Sequence, residues 1–278
     1  LHRKGHAYGV TAMTKGGAVV KFKAKNAVIL AASAVQTPLL LMRSGLGHGP
    51  VGENFQCHPG VAVSARFPEP VRMWEGATQG HEVIGLRREG LKFESLGFGL
   101  GIQASRQKGT GIKLAEGISD MAHWLQWGAA IRSDTKGRVR SLFGRPLVRY
   151  SPSTHDIALF RRGIRVLGEM MFAAGAEFVC PGVHGWDPVV RDPMSLQDLE
   201  RSGPKKAKHY SAAVSHMFGT CRMGSDAGVN VVRPDFRHHK IDSLYVADSS
   251  VFPSNIGVNP MISIMAMATI CGRRILAA

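Results

Sequence analysis

The chain shows two hydrophobic rhythms. Near its start, short β-prone runs flank Lys15-Gly16-Gly17 in HAYGVTAMTKGGAVVKFK, which predicts a hairpin. The following AVILAAS is apolar almost without interruption, as expected of a strand covered on both faces of a parallel sheet. It passes into AVQTPLLLMRSGLG. There Thr37-Pro38 reads as a helix start, Leu39 to Met42 as its apolar body and Gly45 as its stop. Residues 47–60 are rich in Gly and Pro and predict a loop. GVAVSARF then alternates with period two. HEVIGLRR, LKFESLGF, GAAIRSD, GRVRSLF and PLVRY predict further strands, with one helix near residues 118–127. AAIRSDTKGRVRSLFGRPLVRY predicts a meander turning at 135–137 and 143–145.

The helical rhythm takes over after YSPS. Ile157, Phe160, Ile164, Leu167, Met171 and Phe172 fall on one face, predicting an amphipathic helix over 154–174. Ser153 is its candidate N-cap, with Asp156 three residues on. A small helix is predicted at 195–201, capped by Ser195. The final apolar run, GVNPMISIMAMATICGRRIL, stays uncharged until Arg273 and predicts a buried helix over 261–277. Asn259 is placed to cap it and Pro260 to occupy its first position. The run is shorter than the roughly 20 residues a membrane span needs. Asn259, Pro260, Ser263 and Thr269 interrupt it. The strand-rich middle lies between two α/β-like ends, so the fold class is α/β plus α+β, with the middle inserted into a domain closed by both ends.

Composition narrows the function classes. Hydrophobic residues make up 44% and charged residues 20% of 278, as in an ordinary globular chain with room for two domains. The formal charge is +15, yet its densest pieces, RPDFRHHK, GPKKAKH, GLRREG and LFRRGIRV, are short and scattered. With no nucleic-acid motif, this charge suits an anionic cofactor or partner better than a nucleic acid. Cys57, Cys180, Cys221 and Cys271 form no CxxC pair, which argues against zinc and against a disulfide framework and suits a reducing, cytoplasmic compartment. The chain opens on Leu1 and shows no signal peptide, so its start is expected to be a truncation or processing point.

Two stretches carry candidate chemistry. In SAAVSHMFGTCRMGSD, a β-prone run holds His216 just before a Gly-rich turn. Imidazole exchanges a proton near neutral pH, so His216 is either a structural histidine or an active-site base, and the residues alone leave both open. In IDSLYVADSSVFPSNIGVNP, Asp248 closes a short buried-strand pattern, where ligands of open α/β sheets sit. Asn259-Pro260 then opens a helix whose first amides favour developing negative charge. A plain capped helix is the simpler alternative. The glycines of GLGHGPVG and GFGLGIQ lack dinucleotide-fingerprint spacing. The histidines of RHHK at 237–240 read as an exposed turn rather than a metal site, and His58 in CHP as a loop-packing residue.

Together these pieces resemble a known family. SAVQTPLLLMRSGLG is similar at every position to the second signature of the glucose–methanol–choline (GMC) oxidoreductases, with Ser33 where Gly is also accepted. HMFGTCRMG, LYVADSSVFP and VNPMISIMAMAT resemble the family's C-terminal block in order and spacing. VGENFQCHPG and GRPLVRYSPS resemble the branch acting on bulky or long-chain alcohols. The resemblance implies FAD-dependent oxidation of an alcohol to an aldehyde or ketone. It maps the family's paired groups at the flavin ring onto His216 and Asn259, and its cofactor-contacting acid onto Asp248. It further places Ala31, Ala32, Ser33, Ala247, Asn259, Pro260 and Met261 along the cofactor. On this basis residues 1–50 belong to the FAD domain and 51–212 form an antiparallel-sheet substrate domain. Residues 213–278 supply the active-site strand and return to the FAD domain. The family's opening strand–GxGxxG–helix unit is absent from these residues. The chain is therefore expected to be the C-terminal part of a longer or split enzyme, partnered by that unit. The remaining alternatives are a sterol or sugar dehydrogenase of the same family, and a non-catalytic, flavin-free fragment with a basic surface. No metal, nucleic acid or transmembrane segment is expected.

Overall fold

A hairpin opens the fold where the alternating runs predict it, pairing Gly9–Met13 with Val19–Lys23 across the Lys15-Gly16-Gly17 turn. The computed structural model describes residues 1–106 and 110–277. These form two compact units. The first comprises Leu1–Cys57, Asp134–Ser151 and His216–Ala278. The second comprises His58–Ser133 and Pro152–Ser215.

In the first unit, Val28–Leu30 pairs in parallel with Leu244–Val246, Ile29 opposite Tyr245. The expectation of a strand covered on both faces fails in part. Val28 and Leu30 are buried, but Ile29 is 52% exposed, and Ala31 and Ala32 are exposed as well. Among the described residues, Leu244–Val246 is the only strand that pairs with it.

The helix that follows spans Ser33–Arg43, four residues earlier than Thr37-Pro38 suggested. Pro38 lies inside it and is buried. A proline offers no N–H to the carbonyl four residues back, and here the Thr220 hydroxyl donates to that Ala34 carbonyl at 2.6 Å. The defect is repaired from a distant part of the sequence. Thr220→Val, which keeps the shape and removes the donor, is expected to cost about 1–2 kcal/mol in denaturant unfolding of the complete protein. The helix stops where Gly45 predicts. Gly45 has φ +76°. The amides of Gly45 and Leu46 reach the carbonyls of Met42 and Leu41 in a Schellman closure.

The final helix runs Met261–Leu276. Its uncharged composition predicts burial, yet only Cys271 is fully buried, and Met261, Ile262 and Met265 are largely exposed. No other element of the described residues covers that apolar face.

Asp134–Ser151 folds with the first unit, not with the middle segment to which the sequence assigned it. The predicted meander breaks there. Trp124–Ile131 pairs with Gln56–Arg66 and Leu91–Leu96 instead, leaving Arg138–Leu142 and Arg145–Arg149 as a separate hairpin. Phe143 and Gly144, at φ +48° and +75°, give the paired positive angles of a type I′ turn. Burial of Val139 and a bond from its amide to the Gly52 carbonyl at 2.7 Å hold the hairpin in place.

The stretch at 237–240 is not an exposed turn. His238 is buried, bridged to Val232, and its Nδ1 accepts the Lys240 amide at 3.1 Å. Burial, then the charges of His239, Lys240, Arg233 and His2, pushes its pKa down to about 4. The unfolded imidazole titrates near 6.5, so between these values the unfolded state binds the extra proton. The stabilisation is present above about pH 6.5 and is lost as pH falls toward 4. Unfolding midpoints across that window should drop by the equivalent of about 2–3 kcal/mol, and His238→Gln should flatten the profile.

The second unit is built on a six-stranded sheet. Phe178–Cys180, Gln56–Arg66, Trp124–Ile131, Leu91–Leu96 and Glu82–Val83 follow one another in antiparallel order, and Ala212–Phe218 also pairs with Gln56–Arg66. The Thr154–Ala173 helix covers this sheet, burying Ile157, Phe160, Ile164, Leu167 and Met171. Its capping box is as predicted: Ser153 and Asp156 exchange side-chain-to-backbone bonds. The Asp156 carboxylate also accepts from Ser133 at 2.9 Å. Two helices differ from expectation. The one placed at 118–127 is Ile112–Ser119. The chain then turns at Asp120, whose carboxylate takes the Arg66 guanidinium and the Trp124 indole N–H, and continues as a strand. The other is Pro193–Ser202, capped by Asp192 with Pro at its first turn, not by Ser195. A small parallel α/β unit and an antiparallel sheet under a helix together make the expected α/β plus α+β architecture.

Candidate active site

His216 lies on the Ala212–Phe218 strand with φ +53°. A left-handed angle at a non-glycine residue costs about 1–3 kcal/mol and persists where surrounding contacts impose it. Residues 212–215 and Met217 are exposed, and His216 itself is partly exposed. Phe218 is fully buried and anchors the strand end. Gly219 follows at φ +84°, where a Cβ would lie 2.4 Å from the Asn54 carbonyl oxygen. Glycine is therefore required three residues after the histidine. The chain then runs beside residues 249–251: the amides of Cys221 and Met223 donate to the carbonyls of Ser250 and Val251 at 2.9 Å each.

Asp248 is buried at the end of the Leu244–Val246 strand. One carboxylate oxygen accepts the Ser250 amide at 2.8 Å. The other accepts the Ser33 amide at 3.0 Å and the Thr37 hydroxyl at 2.5 Å. Thr37 in turn accepts the Ala32 amide at 3.0 Å. A carboxylate at a helix start satisfies orphan amides and opposes the positive dipole end. Asp248 thus ties the strand end to the Ser33–Arg43 helix. Thr37 escaped the sequence reading as a site residue. Its signal is the spacing Ser33–Thr37, which puts both on one helix face.

The structure brings Ser33, Ala247 and Asp248 together. Ala247 donates to the Leu30 carbonyl at 2.8 Å, beside the exposed backbone of Ala31 and Ala32. Ser33 has φ +89°, which accounts for a position where glycine is equally suited. Its hydroxyl accepts weakly from the amides of Val35 and Gln36 at 3.4 Å.

Asn259 does not cap the final helix. Pro260 is the N-cap residue, and its carbonyl accepts the Ile264 amide at 2.8 Å. Asn259 stands one residue outside, exposed, and Met261 begins the helix with its side chain largely open to solvent. His216 and Asn259 lie on one continuous segment of the first unit, His216–Ala278, and residues 54–56 contact both the turn after His216 and the loop before Asn259.

Other candidates resolve as structural. His58 is buried within the Gln56–Arg66 strand, not a loop, and its carbonyl accepts the Ser215 hydroxyl at 3.3 Å. Burial pushes the Cys221 thiol up, out of the reactive range. Among the described residues no cluster of three His, Cys, Asp or Glu is arranged to hold a metal, and no helix is long and apolar enough to cross a membrane.

Comparison with known proteins agrees along the chain. Two family models described as GMC oxidoreductase match, one over residues 1–60 and one over residues 133–268. A GMC-type oxidoreductase of Mycobacterium tuberculosis is 35% identical over 270 residues, covering 96% of this chain and 42% of the relative. A long-chain-alcohol oxidase of Arabidopsis thaliana is 28% identical over 270 residues, covering 88% of this chain and 36% of its own length. A solved structure of Aspergillus oryzae formate oxidase, bearing a substitution studied for its effect on FAD modification, superposes with a TM-score of 0.71. It is 19% identical and covers 98% of this chain and 57% of that one. The chain thus spans less than half the length of these two sequence relatives.

Proposed function

The chain belongs to the GMC oxidoreductase family, and on that premise we propose that it forms the C-terminal part of an FAD-dependent enzyme that oxidises an alcohol to an aldehyde or ketone. The family's cofactor is FAD. The observation that carries the proposal is the state of His216, a partly exposed histidine held at φ +53° directly before an obligatory glycine turn.

The residues present fit the cofactor. The start of the final helix offers backbone N–H donors with a positive dipole end. Ile29, Ala31 and Ala32 offer an exposed, uncharged ledge at the end of a parallel strand, a usual place for nucleotide ligands. Among the described residues, one Asp248 oxygen takes only the Ser250 amide and keeps acceptor capacity. On this reading Ala31 to Ser33, Ala247, Asp248 and residues 259–261 hold the cofactor, which when bound supplies the hydride acceptor. An imidazole nitrogen of His216 accepts the proton of the substrate hydroxyl. The Asn259 side-chain amide donates to the same oxygen and holds it as charge develops. The Met261 helix start stabilises negative charge without reorganisation, worth on the order of 3 kcal/mol per well-placed contact.

The substrate class we favour is a bulky or long-chain alcohol, supported by the resemblance to plant long-chain-alcohol oxidases. The partner is a strand–GxGxxG–helix unit, supplied by the same polypeptide or by a second chain. Its support is the exposed apolar face of the final helix and the open edge of Val28–Leu30, since parallel sheets are covered on both faces in folded domains. The test is anaerobic flavin reduction in the complete protein, with long-chain primary alcohols set against choline, sugars and a sterol. Bleaching by long-chain alcohols is expected. A flavin that no alcohol reduces would sink the proposal.

A further inference from the structure

Gln56 is almost fully buried at the start of the Gln56–Arg66 strand, and its side-chain amide reaches a loop about 200 residues further on as well as its neighbour Asn54. Its Oε1 accepts the Asn255 amide at 3.1 Å. Its Nε2 donates to the Pro253 carbonyl at 3.3 Å and to Asn54 Oδ1 at 3.1 Å. Asn54 extends the same clamp. Held at φ +59°, it donates from Nδ2 to the Pro253 and Gly219 carbonyls, both at 3.3 Å. Asn255, also buried, returns a bond from its Nδ2 to the Cys57 carbonyl at 3.4 Å.

Two loops meet in this clamp. Gly219 lies three residues after His216, and residues 253–255 lie just before Asn259. A side chain at 219 would collide with Asn54, since a Cβ there would sit 2.4 Å from its carbonyl oxygen and 2.7 Å from its Nδ2. Apolar packing would hold each loop against the core but would leave their separation soft. The side-chain amides of Gln56 and Asn54, each using donor and acceptor in a fixed plane, set it to within a hydrogen-bond length, and the Asn255 side chain adds a donor. We infer that Gln56 and Asn54 are positioning residues that fix the distance between His216 and Asn259. The inference rests on the functional reading above. A reacting pair misplaced by about 1 Å can lose about 10²-fold in rate, so the clamp should matter to chemistry more than to substrate binding.

The test uses the complete holoenzyme. Gln56→Met keeps the volume and removes the amide. Asn54→Gly suits the left-handed angle and removes the side chain, and it serves as the second arm if the first variant fails to fold. Both are expected to slow anaerobic flavin reduction at saturating alcohol by about 10-fold or more, with the substrate dissociation constant changed less than about twofold. In a His216→Ala background, adding Gln56→Met should slow the reaction little further, because the group being positioned is already gone. A clamp that only stabilises would lower the melting temperature, leave the reduction rate within twofold of wild type, and overturn the inference. Full additivity in the double variant would overturn it too. A wild-type rate in His216→Ala alone would instead fail the functional reading, and with it the clamp as an active-site device.

Discussion

Replacing His216 by Ala in the complete enzyme is expected to slow reduction of the flavin by alcohol at least about 10²-fold, the usual contribution of a positioned general base. The expectation starts from exposure. His216 is partly exposed, and it sits on a strand whose preceding four residues are open to solvent. It continues with the backbone. An alanine at φ +53° is more strained than a histidine, so the strand relaxing contributes part of the loss. His216→Asn separates the two effects. Asparagine tolerates the left-handed region and can still donate a hydrogen bond, but it cannot accept the alcohol proton. If proton acceptance is the role, both variants lose comparable rate in single-turnover reduction. If backbone geometry is the cause, the asparagine variant recovers most of it. Wild-type rates in both would remove His216 from the chemistry.

The second large effect is expected at Asp248, and it is one of stability. Asp248→Ala should destabilise the complete protein by about 3 kcal/mol or more, because it strands three donors at once. The amides of Ser33 and Ser250 and the Thr37 hydroxyl all end on this one carboxylate. The helix starting at Ser33 also loses the negative charge at its N-terminus, since its own first turn holds no acid. Asp248→Asn keeps an acceptor oxygen and most of the shape, and should cost only about half as much. The check is a urea midpoint series with flavin content measured on the same samples. Flavin should be lost in step with the destabilised helix start. An alanine variant within about 1 kcal/mol of wild type would show that the strand end and the helix hold together without the carboxylate.

The features legible in the sequence are those written in local spacing. The Ser153–Asp156 capping box, the one-sided stripe of the Thr154–Ala173 helix and the Gly45 stop each depend on residues within one or two turns of one another. The start of the Ser33–Arg43 helix was misread for the opposite reason. Pro38 is an honest local signal for a first turn, but the hydroxyl that makes it tolerable inside the helix comes from Thr220, 182 positions further on. The meander failed because neighbouring strands need not pair. The hairpin of Arg138–Arg149 found the Ser33–Arg43 side of the first unit, while Trp124–Ile131 stayed in the large sheet. The candidate residues His216, Asp248 and Asn259 stood out in sequence. The roles of Thr37, Asn54 and Gln56 did not, since a buried amide or hydroxyl carries no sign of its partner.

The sequence by itself determined the family signature, the residue types available for chemistry, and the apolar character of the final helix and of the Val28–Leu30 strand. It did so because periodicity, capping and turn chemistry act over a few residues. The tertiary structure decided which side of each element is covered and which distant groups meet. It left Met261, Ile262 and Ile29 exposed in this chain, moved Asn259 off the helix cap, and joined Ser33 to Asp248 and Gln56 to Asn255 across about 200 residues. Hydrogen bonds of such length in sequence depend on how the whole unit closes, and only the folded chain specifies that.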